Sequence, residues 1–128
     1  MILIGLSMPH CLLEYSSNII EKNKSRDALQ AIHTALDKTG LFQLADIKSR
    51  AVEHKDFFIG DGNESRAFVA LTVSILSGRS DETKRSVSSA CLEALKKIFS
   101  ESLSSLKLSI TVQIKELDKN SYVREISY

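Results

Sequence analysis

The 128-residue sequence holds a single proline, two cysteines and almost no net charge, with 17 Lys and Arg against 16 Asp and Glu. Each shortage excludes something. Near-neutral charge leaves no electrostatic footprint for nucleic acid or an anionic membrane surface, and aromatic residues at 6% supply few platforms on which bases could stack. No apolar run approaches the length that spans a bilayer. The opening MILIGLSM lacks a basic segment and is too short for a secretion signal, so a cytoplasmic location is expected. Cys11 and Cys91 form no CxxC pair and have no histidine at ligand spacing. They read as small buried hydrophobes. His10, His33 and His54 fall in separate segments, with His33 inside a helical pattern and expected at its surface or boundary, and no metal site is expected.

What is present is an ordinary amount of apolar sequence, 43%, in a chain of one-domain length. Residues 9–15 (PHCLLEY) read as a buried strand, and residues 16–24 as a polar turn. Ala28, Leu29, Ile32, Ala35 and Leu36 then recur at helical spacing over residues 25–38, with Gly40 where a left-handed C-terminal residue is wanted. A second strand is expected from about Ala45 through IKSRAVEH. Gly60-Asp61-Gly62-Asn63 is a loop by composition. Residues 67–76 (AFVALTVSIL) are almost continuously apolar and rich in β-branched side chains, the mark of a central strand. Gly78-Arg79-Ser80 ends it, and Ser80 with Asp81 and Glu82 opens a helix. Val87, Ala90, Cys91, Ala94, Leu95, Ile98, Phe99 and Leu103 keep one apolar stripe along that helix. Alternation from Leu106 to Lys115 gives a half-buried final strand.

The expected fold is therefore α/β (α+β): two βαβ units related by a pseudo-twofold, forming a four-stranded mixed sheet with helices on one face. The uncovered face calls for a partner, and so for an oligomer. A pseudo-twofold also makes the two halves run in opposite directions. The start of strand one, the start of strand two and the end of strand three then meet at one edge of the sheet. Those positions hold Pro9, Lys48 and Arg79.

Pro9 follows Met8 directly. By itself a proline beside a strand marks only the strand's beginning. If translation starts at Met8 and that methionine is removed, however, Pro9 carries a free secondary amine, one of the few backbone groups able to act as a general base. If the chain keeps Met1 to Met8, the same nitrogen is an amide and takes no proton. Residues 1–8 are thus either an N-terminal extension or a misassigned start, and residues 9–128 the single domain. A base flanked by two cations suits deprotonation beside a carboxylate or carbonyl.

PHCLLEYSSNI at residues 9–19, TGLFQLADIKSR at 39–50, GDG at 60–62 and AFVALTVSILSGRS at 67–80 together resemble the 5-carboxymethyl-2-hydroxymuconate Δ-isomerase family of the tautomerase superfamily. The likeness runs from Pro9 to about Leu117. It implies a homotrimer without cofactor, in which Pro9 is the catalytic base and Arg79 a catalytic arginine. Lys48 and Arg50 match the family's arginine pair, and these two with His10, beside the base, are the expected substrate-binding residues. The implied substrate is a small anionic unsaturated acid, an enol with two or three carboxylates, from ring-cleavage breakdown of homoprotocatechuate. Lys48 keeps the charge of the family arginine but not its planar fork. Ala70 and Gln43 stand where the family commonly has histidine and proline. Two other readings share the same fold: an inert oligomer that binds anionic small molecules with Pro9 acylated, MILIGLSM then packing as an edge strand, and a different tautomerase-superfamily reaction on the same amine.

Overall fold

The computed structural model describes residues 8–128, so the expected edge strand at MILIGLSM lies outside the described residues but for Met8. The elements are β1 (His10–Ser16), α1 (Ser25–Lys38), β2 (Lys48–His54), β3 (Arg66–Leu76), α2 (Asp81–Ile98), α3 (Ser100–Ser105) and β4 (Lys107–Leu117). They form one four-stranded sheet in the order β2-β1-β3-β4. β1 runs parallel to β2 and β3 parallel to β4, while the central pair β1 and β3 is antiparallel. This is the double βαβ arrangement that two crossover helices dictate.

The period-2 pattern of the strands decides which face is covered. Cys11, Leu13 and Tyr15 of β1 and Ala67, Val69, Leu71, Val73 and Ile75 of β3 are buried in one core with Ala28, Ile32 and Leu36 of α1 and Val87, Cys91 and Leu95 of α2. Burial pushes the Cys11 thiol up to about 12, with Cys91 adding to the effect, and the Cys91 thiol up to about 11. Both cysteines act as buried hydrophobes, as their isolation in sequence suggests. The alternate residues of the strands leave on the other face. There β4 exposes Ser109 and Thr111.

Local signals hold at α1 and α2. Gly40 has φ 73°, the left-handed conformation at the end of α1, and the Ser80 side chain accepts from the Thr83 backbone N–H to cap α2. Two boundaries differ from expectation. Leu44–Asp46 is a turn of 3₁₀ helix, so β2 begins at Lys48 rather than near Ala45. The long helix also breaks at Phe99, and Leu103 ends up 40% exposed while Ser102 is fully buried. The reason is polar. Glu21, 2% exposed, accepts hydrogen bonds from the Ser102 hydroxyl at 2.6 Å and backbone N–H at 3.0 Å. The Ser102 oxygen in turn accepts from Ile20 N–H.

Burial alone would raise the Glu21 carboxyl, but the hydrogen bonds from Ser102 outweigh it and hold the group below the ordinary glutamate range. The stability it confers is thus present above the ordinary value and is lost as pH falls through the lowered one. Glu21→Ala leaves two buried donors unmet and is expected to cost about 1–3 kcal/mol. Urea unfolding at neutral pH checks this. The difference from wild type should shrink when both are unfolded at acidic pH.

Candidate functional site

The sheet register assembles the Pro9 end. Lys48 N–H donates to the Pro9 carbonyl at 3.2 Å, and His10 pairs with Lys48 across the parallel strands. On the other side His10 pairs with Ser74, so β3 runs out at the same end and Arg79 follows within three residues of Leu76. Gly78, at φ 114°, makes the turn that brings the chain there. The pseudo-twofold thus places Pro9, Lys48 and Arg79 at one end of the sheet.

Their side chains are disposed in two groups. His10 and its neighbours Lys48 and Arg50 in β2 leave the sheet on the face away from the helices, because Cys11 and Leu13 occupy the covered face. The Lys48 ammonium donates to the Asp46 carbonyl at 3.2 Å. Among the described residues no carboxylate lies within ion-pair distance of Lys48 or Arg50. The His10 imidazole registers this field: burial first, then the charges of Lys48 and Arg50, hold its pKa below the ordinary histidine value. The same field attracts an anion. Arg79 instead reaches the α1–β2 loop, where its Nη2 donates to the Leu41 carbonyl at 3.4 Å and its guanidinium lies 5.2 Å from the centre of the Phe42 ring. Pro9 is fully buried, and Met8, whose carbonyl acylates the Pro9 nitrogen, is only 4% exposed.

The opposite pole shows what the pseudo-twofold repeats and what it does not. Lys107 N–H donates to the Ser65 carbonyl at 2.8 Å, the counterpart of the Lys48–Pro9 bond. A serine thus stands where the first half has its proline. One cation there, Arg66, is bound to Asp61 at 2.8 Å, and that bond draws the Asp61 carboxyl down to about 2, while Lys107 stands where the first half has Lys48.

Sequence reasoning missed the tail after β4. It crosses the Pro9 end and sets Tyr122 on His10, Arg124 on Asp46 and Tyr128 on Asp46 and Ala45. A polar tail without periodicity carries no signal for such docking. His33 does sit at a boundary, bonded through Nε2 to the Ser49 hydroxyl at 2.7 Å, and His54 pairs with Glu14 at 2.9 Å. Among the described residues no cluster of three His, Cys, Asp or Glu is arranged to hold a metal ion. No helix among them is long and apolar enough to cross a membrane.

Known proteins resemble this chain in sequence and in fold. A sequence model of the family described as 5-carboxymethyl-2-hydroxymuconate isomerase matches residues 9–126, starting at the proline and running past Leu117 into the tail. The 5-carboxymethyl-2-hydroxymuconate Delta-isomerase of Escherichia coli is 32% identical over 110 residues, 86% of this chain and 87% of that one. A 5-carboxymethyl-2-hydroxymuconate isomerase structure from Deinococcus radiodurans R1 superposes with a TM-score of 0.88 at 28% identity, covering 98% of this chain and 94% of the other. A fused 4-OT described as a wild-type symmetric trimer shares the fold, with a TM-score of 0.69, 16% identity and 87% coverage of both chains.

Proposed function

The chain belongs to the 5-carboxymethyl-2-hydroxymuconate isomerase family, and from that premise we propose that it isomerises an unsaturated 2-hydroxy acid bearing two or three carboxylates, with Pro9 as the base. Isomerase activity follows from the family. The observation that carries the finer reading is the burial of Pro9 at the end of the sheet that holds Lys48 and Arg50, two cations with no carboxylate partner among the described residues. Lys48 and Arg50 bind the substrate carboxylates, and His10 lines the same row. Arg79 stabilises charge on the reacting end.

The proposed chemistry balances within one molecule. The amine lone pair of Pro9 takes the proton of the enol hydroxyl. The O–H electrons close a C=O bond, and the π electrons move along the conjugated chain. The resulting ammonium returns the same proton to the distant carbon. Positive side chains stabilise the dienolate in between. One proton and a shift of π electrons call for no cofactor. The open face of the sheet is proposed to bury itself in a homotrimer, the assembly named for the fused 4-OT neighbour.

The base must be unprotonated, so activity rises with pH. Neighbouring cations and desolvation lower an amine's pKa toward neutrality. For a chain beginning at Pro9, kcat/KM on a 2-hydroxymuconate-type acid, followed by the loss of conjugated absorbance, is expected to climb through one ionisation near neutral pH. A flat profile would remove the amine from the mechanism. Turnover of other enol acids but not this class would move the protein to another reaction of the superfamily.

A further inference from the structure

The tail beyond β4 is fastened to the site at several points. A turn at residues 118–121, closed by Ser121 N–H on the Asp118 carbonyl and Asn120 N–H on the Asp118 carboxylate, reverses the chain. Arg124 Nη1 then meets Asp46 Oδ1 at 3.1 Å, and the Tyr128 hydroxyl meets the same oxygen at 3.2 Å. Asp46 is itself buried, 7% exposed, and lies two residues ahead of Lys48, whose ammonium bonds its carbonyl. Between these anchors and β4 the tail presents Tyr122 to the site. Its hydroxyl is 2.9 Å from His10 Nε2, and its ring meets the imidazole edge to face, 6.1 Å between centres at 68°.

We propose that Tyr122 is a positioning residue of the anion site: its hydroxyl donates to His10 Nε2, fixing the imidazole in the tautomer that carries its proton on Nδ1. His10 then offers Nδ1–H to a substrate oxygen. No described residue takes a hydrogen bond from Nδ1. The groups facing His10 favour this arrangement. Lys48 and Arg50 of β2 are cationic, the β3 partner Ser74 is neutral, and the phenol is a donor. A second positive charge-bearing ring proton is thereby disfavoured, and one oriented neutral donor remains. The proposal rests on the Pro9 end being the substrate site.

The test uses the full chain beginning at Pro9, with Tyr122→Phe, which keeps the ring and removes only the hydroxyl. Two readouts need no turnover: the ¹⁵N shifts of the His10 imidazole, assigned with His10→Gln, and the Kd of muconate, a dicarboxylate lacking the reacting hydroxyl, by calorimetry. Wild type is expected to show the Nδ1–H pattern. Tyr122→Phe should lose it and bind muconate about tenfold more weakly, the loss of one hydrogen-bonded donor. Unchanged imidazole shifts in Tyr122→Phe would overturn the proposal. So would a changed tautomer with unchanged muconate affinity, because Tyr122 would then hold His10 without serving the ligand. If the shifts and affinity move as expected yet no enol acid is isomerised, the Tyr122 assignment stands and it is the reading of Pro9 as base that fails.

Discussion

A chain whose first residue is Pro9 is expected to turn over its enol acid at least about a hundredfold faster than one that keeps Met8, the scale of a positioned general base. Two physical effects point the same way. In the longer chain the Pro9 nitrogen is an amide whose lone pair is delocalised into the carbonyl, so it takes no proton near neutral pH. Met8 is also buried, and it occupies volume directly beside that nitrogen. Removing it both frees the lone pair and opens space for the reacting carbon. The family match starts at residue 9, in keeping with this reading. Intact mass of the purified protein assigns the first residue, and activity is measured on chains of each length. In a gene that keeps the upstream codons, Met8→Ala should abolish the active form. Pro9→Ala, which leaves a primary amine, should lower activity without erasing it. Equal turnover by a chain shown to retain Met8 would defeat the proline mechanism and favour a base elsewhere in the site.

Much of the route to that site was legible because it rests on periodicity. The alternation in β4, the β-branched run of β3 and the helical spacing over residues 25–38 each specify an element and its buried face. The order of elements then specifies parallel pairs within each half, and the antiparallel β1–β3 contact brings Pro9, Lys48 and Arg79 to one end. What the sequence concealed depends on single polar contacts. The Glu21–Ser102 bond breaks the last helix at Phe99, although Leu103 continues the apolar spacing. The start of β2 was masked because Leu44, Ala45 and Ile47 suit a strand in composition, while the backbone closes a 3₁₀ turn there. Tyr122, Arg124 and Tyr128 sit in a segment without pattern, and each finds its partner 78 to 112 residues away in sequence, far beyond any local signal. Charge was the least readable feature. Arg66 and Lys48 look alike in sequence, yet Asp61 neutralises the first and no carboxylate among the described residues pairs with the second.

Arg79→Ala is expected to lower kcat/KM by about 10²–10³, the cost of deleting one donor that stabilises transition-state charge. The arginine has one contact in the fold and one proposed duty in the chemistry, and the variant series must separate them. It joins the β3–α2 turn to the α1–β2 loop through the Leu41 carbonyl and the face of Phe42. It is also the cation that the turn at Gly78 delivers to the Pro9 end. Losing the loop contact alone costs stability of about 0.5–1 kcal/mol for the cation–π part, a shift of a few degrees in Tm that leaves most molecules folded. Arg79→Lys keeps the charge and gives up the planar fork and the stacking. If the charge acts on the dienolate, the lysine variant should recover part of kcat while its Tm stays close to that of the alanine variant. If Arg79 only fastens the loops, both variants should lose stability together and keep nearly full kcat below their melting temperatures. That second pattern would take Arg79 out of the chemistry and leave Lys48 and Arg50, with the His10 row they flank, as the charge that meets the substrate.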